Sequence, residues 1–148
     1  MKLRPQKDTI LYGDCRNTIP TIHERVQMCV TSPPYYGLRD YGGESSQIGQ
    51  EQTPEEYIEE LVKVFREVKN VLADDGTLWL NIGDSYYNYR PGKGQSYPKQ
   101  TVSKTKQDLP DKCNKRGNKL DGLKEKDLIG IPWLLAFALR KDGWYLRQ

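Results

Sequence analysis

One short segment, residues 31–35, carries the side chains best suited to chemistry. It has the sequence Thr-Ser-Pro-Pro-Tyr and follows the apolar run Val26–Val30, which predicts a strand. Ser32 offers a hydroxyl acceptor and Tyr35 a flat aromatic face, while the two prolines give a stiff backbone without N–H donors. Because two prolines cannot continue a central ladder, we expect the segment at the carboxyl end of its strand, where open α/β sheets bind ligands.

The elements around this segment alternate between strand and helix. Thr53 is a good N-cap, Pro54 suits the first helical position and Glu56 completes a capping box. A helical stripe of apolar residues then runs from Tyr57 to Leu72, and Asp-Asp-Gly at 74–76 is expected to end the helix. Strand, helix and strand in succession predict a crossover unit of a mostly parallel sheet, hence an α/β fold. Further strands are predicted at 8–12, at 77–82 and from 144 onward, and a second helix from 131 to 139.

Positive charge is concentrated in one part of the chain. The net charge is +3, but residues 88–119 hold nine basic and two acidic side chains, so this segment carries +7 and the remainder −4. Residues 86–126 also lack a sustained apolar period, which predicts a flexible basic insertion. Such asymmetry favours contact with a polyanion, with a solubilising insertion as the alternative.

Several classes of protein are disfavoured by composition. Three cysteines without paired spacing and a single histidine argue against a zinc site or a disulfide framework, so no metal is expected. No apolar run approaches the roughly 20 residues needed to cross a bilayer, and the first residues do not form a secretory signal. A cytoplasmic protein that does not associate with membranes is the expectation.

The motif and its flanking segments resemble amino-group DNA methyltransferases, which act on cytosine N4 or adenine N6. Their catalytic motif has the form [Ser/Asn/Asp]-Pro-Pro-[Tyr/Phe], which residues 32–35 match. The similarity covers nearly the whole chain apart from the basic segment, in the permuted order where the catalytic motif precedes the cofactor loop. It implies S-adenosylmethionine as methyl donor, double-stranded DNA as substrate, a partial Rossmann-like sheet and a restriction-modification context. The matching flanks are Tyr-Gly-Asp at 12–14, Thr-Pro-Glu-Glu-Tyr at 53–57, Asn-Ile-Gly-Asp-Ser at 81–85, Ile-Pro-Trp at 131–133 and Asp-Gly-Trp at 142–144.

The resemblance gives the motif a chemical interpretation. The lone pair of an exocyclic amine is delocalised into the ring, and hydrogen bonds from its two N–H groups to fixed acceptors make it available. Ser32 Oγ and the Pro33 carbonyl would be these acceptors, Pro34 would keep the backbone stiff, and Tyr35 would stack on the extruded base. Ser32 favours cytosine N4 over adenine N6 without excluding the latter. Covalent C5 methylation is disfavoured because no cysteine follows a proline.

Other site residues are implied by the same resemblance. Asp14 follows a predicted strand and a glycine, so it could bind the cofactor, although an ordinary turn aspartate is equally compatible. The loop after the motif could help hold base or phosphate, although a solvated loop is equally compatible. The basic segment could, because of its charge, follow a phosphate backbone, and each neutralised phosphate would add salt dependence. The residues concerned are Tyr36, Arg39, Arg90, Lys93 and Lys99.

The Phe-x-Gly-x-Gly cofactor loop of such enzymes is not found. Gly92-Lys93-Gly94 lacks a preceding strand, and the strand expected from residue 144 has no sequel. Residues 1–148 are therefore expected to form the N-terminal, catalytic-motif part of a larger enzyme, to be inactive alone and to be completed by a C-terminal half. A homodimer is left open. The alternatives are a catalytically inactive DNA-binding remnant and, less favoured because of Ser32, a methyltransferase acting on RNA or protein glutamine.

Overall fold

A computed structural model describes residues 8–38, 47–87, 120 and 122–147, and shows an α/β arrangement. Two parallel strands form the sheet, and the longest helix connects them in sequence. A second long helix packs against the first. The elements are α1 (Cys15–Thr18), a 3-10 helix (Ile19–Thr21), β1 (Val26–Thr31), α2 (Pro54–Val71), β2 (Leu72–Leu80) and α3 (Ile131–Lys141).

Helix α2 begins as the sequence predicts. The Thr53 hydroxyl accepts from the Glu56 amide over 3.2 Å, and the Glu56 carboxylate accepts from the Thr53 amide over 3.3 Å, so the capping box is confirmed. The helix ends at Val71, earlier than the expected stop at 74–76, because Leu72 adopts an extended backbone and pairs with Val26 in the sheet. Its buried face holds Tyr57, Ile58, Leu61, Val64, Phe65 and Val68.

The predicted parallel crossover is confirmed. After an irregularity beyond the Val26–Leu72 pair, the register runs from Met28 beside Thr77 to Thr31 beside Leu80. The chain bulges at residues 73–76, where a Cβ on Gly76 would lie 2.9 Å from the Ala73 carbonyl oxygen. The strand predicted at 77–82 therefore forms the second part of β2. This strand begins at Leu72, five residues before the predicted start, and ends at Leu80, two residues before the predicted end.

The core lies between α2, α3 and one face of the sheet. Buried Ile131, Leu135 and Leu139 of α3 join the α2 stripe in one cluster. Beyond the end of α3, Arg66 donates to the Asp142 carboxylate over 2.7 Å and Lys69 donates to the Gly143 carbonyl over 2.9 Å. These polar contacts join the residues after α3 to the exposed side of α2.

Two predicted strands are wrong. Residues 8–12 and 144–147 have no strand structure, and Ile10, Tyr12 and Tyr145 are largely exposed. The sheet of the described residues has only two strands, β1 and β2, and neither segment pairs with an edge of it. The β propensity of a segment does not by itself make a strand, because a strand requires that pairing. After the first segment the chain instead forms α1, which the apolar pattern did not indicate.

The two ends of the basic insertion lie side by side. Tyr87 donates its amide to the Asp127 carbonyl over 2.7 Å and accepts from the Lys126 amide over 2.8 Å. Ile129 likewise donates to the Ser85 carbonyl over 2.9 Å, and Tyr86 bridges Leu128 in antiparallel fashion. Most of the insertion itself lies outside the described residues. Within the described ranges, no helix is long and apolar enough to cross a bilayer.

The packing of α3 predicts that alanine substitution at two neighbouring leucines has very different effects on the free energy of unfolding. Leu135 is fully buried whereas Leu134 is 41% exposed. Leu135→Ala should lower the free energy of unfolding by about 2–5 kcal/mol, because it leaves a cavity in the core. Leu134→Ala, the matched control, should change it by less than about 1 kcal/mol. Urea denaturation followed by circular dichroism measures both, and equal losses would contradict this assignment of the core.

Candidate functional site

The Thr-Ser-Pro-Pro-Tyr segment leaves the sheet at the carboxyl end of β1. Asn81, which follows β2, donates its amide to the Thr31 carbonyl over 3.0 Å, and this bond is the last between the two strands. Ser32 to Tyr35 and Asn81 to Ser85 therefore run next to each other beyond the sheet. This is the edge at which parallel sheets bind ligands.

Ser32 and Tyr35 are brought together on this edge. Ser32 is exposed, and its Oγ lies 3.5 Å from the Tyr35 hydroxyl oxygen. The Tyr35 ring packs directly on Gly83, where a Cβ would lie 2.9 Å from the ring Cε2. Any larger residue at position 83 would push the ring away, so the glycine defines where the aromatic face lies.

The Pro34 carbonyl is held by a buried phenol. Tyr57, which is fully buried in α2, donates its hydroxyl to this oxygen over 2.7 Å. Burial, assisted by the negative charge of Glu51, raises the pKa of Tyr57, so the phenol stays protonated as a donor. The sequence placed Tyr57 in the apolar stripe and missed this role. A tyrosine among aliphatic core positions was the available signal, since a buried hydroxyl needs a partner.

The carbonyls of the motif differ in their partners. Ser85 donates its hydroxyl to the Tyr36 carbonyl over 3.0 Å, and Tyr57 likewise donates its hydroxyl to the Pro34 carbonyl. Among the described residues, none donates a hydrogen bond to the Pro33 carbonyl. The backbone on both sides of Tyr35 is thus fixed, while the Pro33 oxygen is left available as an acceptor.

Tyr36, predicted to contact DNA, contacts Gln52 and Tyr57 within the protein. Its hydroxyl donates to the Gln52 carbonyl over 3.2 Å, and its ring packs against Tyr57 with the ring centroids 5.5 Å apart. Burial, with smaller effects from Glu55, Glu51 and Glu56, raises the pKa of Tyr36 to about 12. Its predicted contact with DNA stays a prediction.

Asp84 connects the site to α3. Its carboxylate accepts from the amides of Ser85 at 2.8 Å, Gly130 at 3.0 Å and Ile131 at 3.0 Å. Gly130, the residue before α3, has a φ of 87° and no side chain of its own to cap the helix. A remote carboxylate therefore satisfies the first amides of α3 and suits the positive end of its dipole. Sequence reasoning missed this contact, which spans more than forty residues.

Asp14, predicted to bind cofactor, is engaged with α1. Its carboxylate accepts from the Arg16 amide over 2.9 Å and from the Arg16 guanidinium over 3.0 Å. Hydrogen bonds from the Arg16 side chain hold the pKa of Asp14 below its ordinary value. Its role towards a cofactor remains a prediction. Arg39, Arg90, Lys93 and Lys99 lie outside the described residues, and the described part of the chain holds no cluster of three metal-ligating side chains.

Comparison with known proteins identifies a matching family and several relatives. The N6_N4_Mtase family model, described as DNA methylase, matches residues 26–148. The Type II methyltransferase M.SmaI of Serratia marcescens is 47% identical over 144 residues, which are 93% of this chain and 44% of that protein. M.XycI of Xanthomonas campestris pv. cyanopsidis is 46% identical over 152 residues, which are 99% of this chain and 48% of that protein. The chain thus spans about half the length of these relatives. No solved structure matches.

The phenol beneath the motif gives a direct test of its packing. Tyr57→Phe keeps the ring but leaves the Pro34 carbonyl without its donor, so the free energy of unfolding should fall by about 1–3 kcal/mol. Tyr86→Phe, at a side chain that is 70% exposed, is the matched control and should change it by at most about 0.5 kcal/mol. Urea denaturation measures the difference. A Tyr57→Phe protein as stable as wild type would show that the hydroxyl contributes nothing to holding the motif.

Proposed function

Since the chain belongs to the N6/N4 DNA methylase family, we propose that it forms the base-amine site of a DNA methyltransferase dependent on S-adenosylmethionine. The proposal rests mainly on one observation: Ser32 Oγ and the Tyr35 hydroxyl lie 3.5 Å apart at the carboxyl end of β1, and the Pro33 carbonyl between them in sequence accepts no hydrogen bond from the described part of the chain. Two acceptors next to an aromatic face are what an extruded base with an exocyclic amine requires.

The motif acts by positioning. Ser32 Oγ and the Pro33 carbonyl accept the two N–H groups of the amine, which turns its lone pair towards the methyl donor. Tyr57 engages the neighbouring Pro34 carbonyl, so the amine is offered one backbone acceptor rather than two. Tyr35 stacks on the base and contributes on the order of 1–3 kcal/mol. The cofactor would supply its methyl group: the nitrogen–methyl bond would form as the sulfonium–methyl bond breaks, leaving S-adenosylhomocysteine, and the methylated amine would release one proton to solvent. Catalysis comes from orientation, without a covalent enzyme intermediate.

The described residues do not supply a complete cradle for S-adenosylmethionine, whose role is to provide the sulfonium methyl group. Asp14 has both carboxylate oxygens occupied by Arg16, so it could bind the cofactor only if that pair rearranged. We therefore assign most cofactor contacts to a complementing polypeptide that corresponds to the part of the relatives beyond the match. In the complete enzyme, β1 and β2 would be two strands of a larger Rossmann-like sheet.

Double-stranded DNA is the proposed substrate. The charge of +7 in residues 88–119 suits a phosphate backbone and makes binding sensitive to salt. The same charge favours a second candidate function, a DNA-binding protein without catalytic activity. Addition of the complementing polypeptide separates the two, because restored methylation supports the enzyme and continued inactivity with retained DNA binding supports the alternative.

Removal of the side-chain acceptor should impair turnover. In the complemented protein, Ser32→Ala should reduce kcat/KM for DNA by about 10–100-fold, as expected for one lost hydrogen bond to the reacting amine. Thr21→Ala in the 3-10 helix removes a hydroxyl elsewhere and should leave kcat/KM unchanged. Transfer of radiolabelled methyl groups measures both variants. Full activity of Ser32→Ala would exclude Ser32 as the acceptor.

The identity of the modified base follows from the same assay. We expect N4-methylcytosine, because the motif begins with serine. Methylated DNA digested to nucleosides and analysed by mass spectrometry distinguishes this product from N6-methyladenine by mass. Recovery of N6-methyladenine alone would contradict the assignment of the base but leave the amine-directed mechanism intact.

A further inference from the structure

Lys126 adopts a backbone conformation that suits glycine. Its φ is 72°, and within the described ranges it is the only residue other than glycine with a positive φ. The Asp127 amide donates to the Lys124 carbonyl over 3.0 Å, which makes Lys126 the third residue of a four-residue turn. A turn with a positive φ at its third residue is of type II, and such turns favour glycine or asparagine there. The chain therefore has a lysine where glycine would be less strained.

The same residue begins a bulge in the antiparallel contact between the two ends of the insertion. The Lys126 amide donates to the Tyr87 carbonyl over 2.8 Å, while the Tyr87 amide donates to the Asp127 carbonyl over 2.7 Å. Two consecutive residues thus oppose Tyr87. In a bulge of this kind the first residue has a left-handed backbone and is usually glycine. The turn and the bulge both favour glycine at position 126, and neither explains a lysine.

The Lys126 side chain does not stabilise this turn. The side chain is exposed, and its ammonium forms no ion pair or hydrogen bond with another residue of the described ranges. The neighbouring carboxylate of Asp127 accepts instead from the Lys124 amide, over 2.8 Å. Strained residues of this type concentrate at functional sites, where the side chain has a use that offsets the strain. The Lys126 ammonium is placed to bind an anion that comes from outside the described fold.

The antiparallel contact places Lys126 close to the Thr-Ser-Pro-Pro-Tyr motif. Ser85 donates its hydroxyl to the Tyr36 carbonyl over 3.0 Å, and its own carbonyl accepts from the Ile129 amide over 2.9 Å. Lys126 precedes Ile129 by three residues, which span at most about 10 Å of extended chain. The lysine therefore lies on the same edge of the sheet as Tyr35 and Tyr36, a short distance from the backbone that holds them.

We propose that Lys126 binds one backbone phosphate of the substrate DNA beside the extruded base. This inference rests on the proposed function, since it names a DNA contact of the same site. An extruded base brings its own sugar and phosphates to the protein, and basic side chains that contact phosphates fix its position. Residues 124–127 hold two lysines and two acidic residues, so the turn has no net charge. The contact is therefore with a single phosphate and differs from the general attraction expected of the basic segment.

Replacement of the lysine by glycine should change stability and DNA binding in opposite directions. Lys126→Gly should raise the midpoint of thermal unfolding by about 1–4 °C, because glycine adopts this φ without strain. The same variant should bind duplex DNA about 3–10-fold more weakly at about 0.1 M salt, and the slope of log K against log salt should become shallower by about 1. Circular dichroism and fluorescence anisotropy of the whole chain measure the two effects. A lysine that served folding alone would give a lower midpoint for Lys126→Gly.

Two further variants serve as controls. Lys126→Arg keeps the charge and should bind DNA with the salt slope of the wild-type chain. Lys141→Gln removes an equal charge from the last residue of α3, at the end of that helix far from Asp84. It should change the affinity for DNA by less than about twofold and leave the salt slope unaltered.

Several results would overturn the phosphate contact. They are equal affinities of wild type and Lys126→Gly, equal weakening by Lys126→Gly and Lys141→Gln, a lower midpoint for Lys126→Gly, and no binding of DNA by the wild-type chain. Methylation by the complemented protein tests the proposed function separately. DNA binding that depends on Lys126, in a protein that never methylates DNA, retains the phosphate contact and rejects the enzyme. Methylation of DNA together with wild-type DNA affinity of Lys126→Gly does the reverse.

Discussion

Two consecutive prolines after β1 create a stretch of backbone that has carbonyl oxygens but no N–H groups. Such a stretch cannot continue the ladder, so the sheet must open at this point and other groups must satisfy the carbonyls. Tyr57, from within the core, donates a hydrogen bond to the Pro34 carbonyl. Ser85, in the segment after β2, donates one to the Tyr36 carbonyl. The geometry of the site therefore follows from a shortage of donors in the motif itself. The Pro33 oxygen, which accepts no hydrogen bond from the described residues, is the one with a chemical role in the proposed mechanism.

Helix α2 links this local constraint to the stability of the whole fold. The stripe that buries Leu61, Phe65 and Val68 against α3 also carries Tyr57, one to three turns earlier in the helix. A change in how α2 packs would therefore move the phenol and, with it, the Pro34 carbonyl. Asp84 has a comparable effect from the other side, because it holds the start of α3 next to the end of β2. Core and site are thus parts of one connected structure.

Much of the framework could be predicted because its signals are local. The capping box from Thr53 to Glu56, the helical stripe and the parallel crossover are all encoded within a few residues of where they act. The motif was found for the same reason, and the family comparison agrees with the resemblance it carries. The prediction of strands at 8–12 and 144–147 is wrong, because strand formation requires pairing with a neighbouring strand, and the residues of the segment alone do not determine that pairing. The roles of Tyr57 and Asp84 were missed because each joins residues far apart in the chain, which no local pattern can indicate.

The antiparallel contact between residues 85–87 and 126–129 has a consequence for how such a protein can evolve. When the two ends of an insertion are paired, the free-energy cost of closing the loop between them rises only with the logarithm of its length, by about 0.6 kcal/mol for each doubling. The residues between the fastened ends can be lengthened, shortened or exchanged at little expense to the core. A segment under so loose a constraint is free to diverge quickly, while the prolines a short distance away must stay as they are.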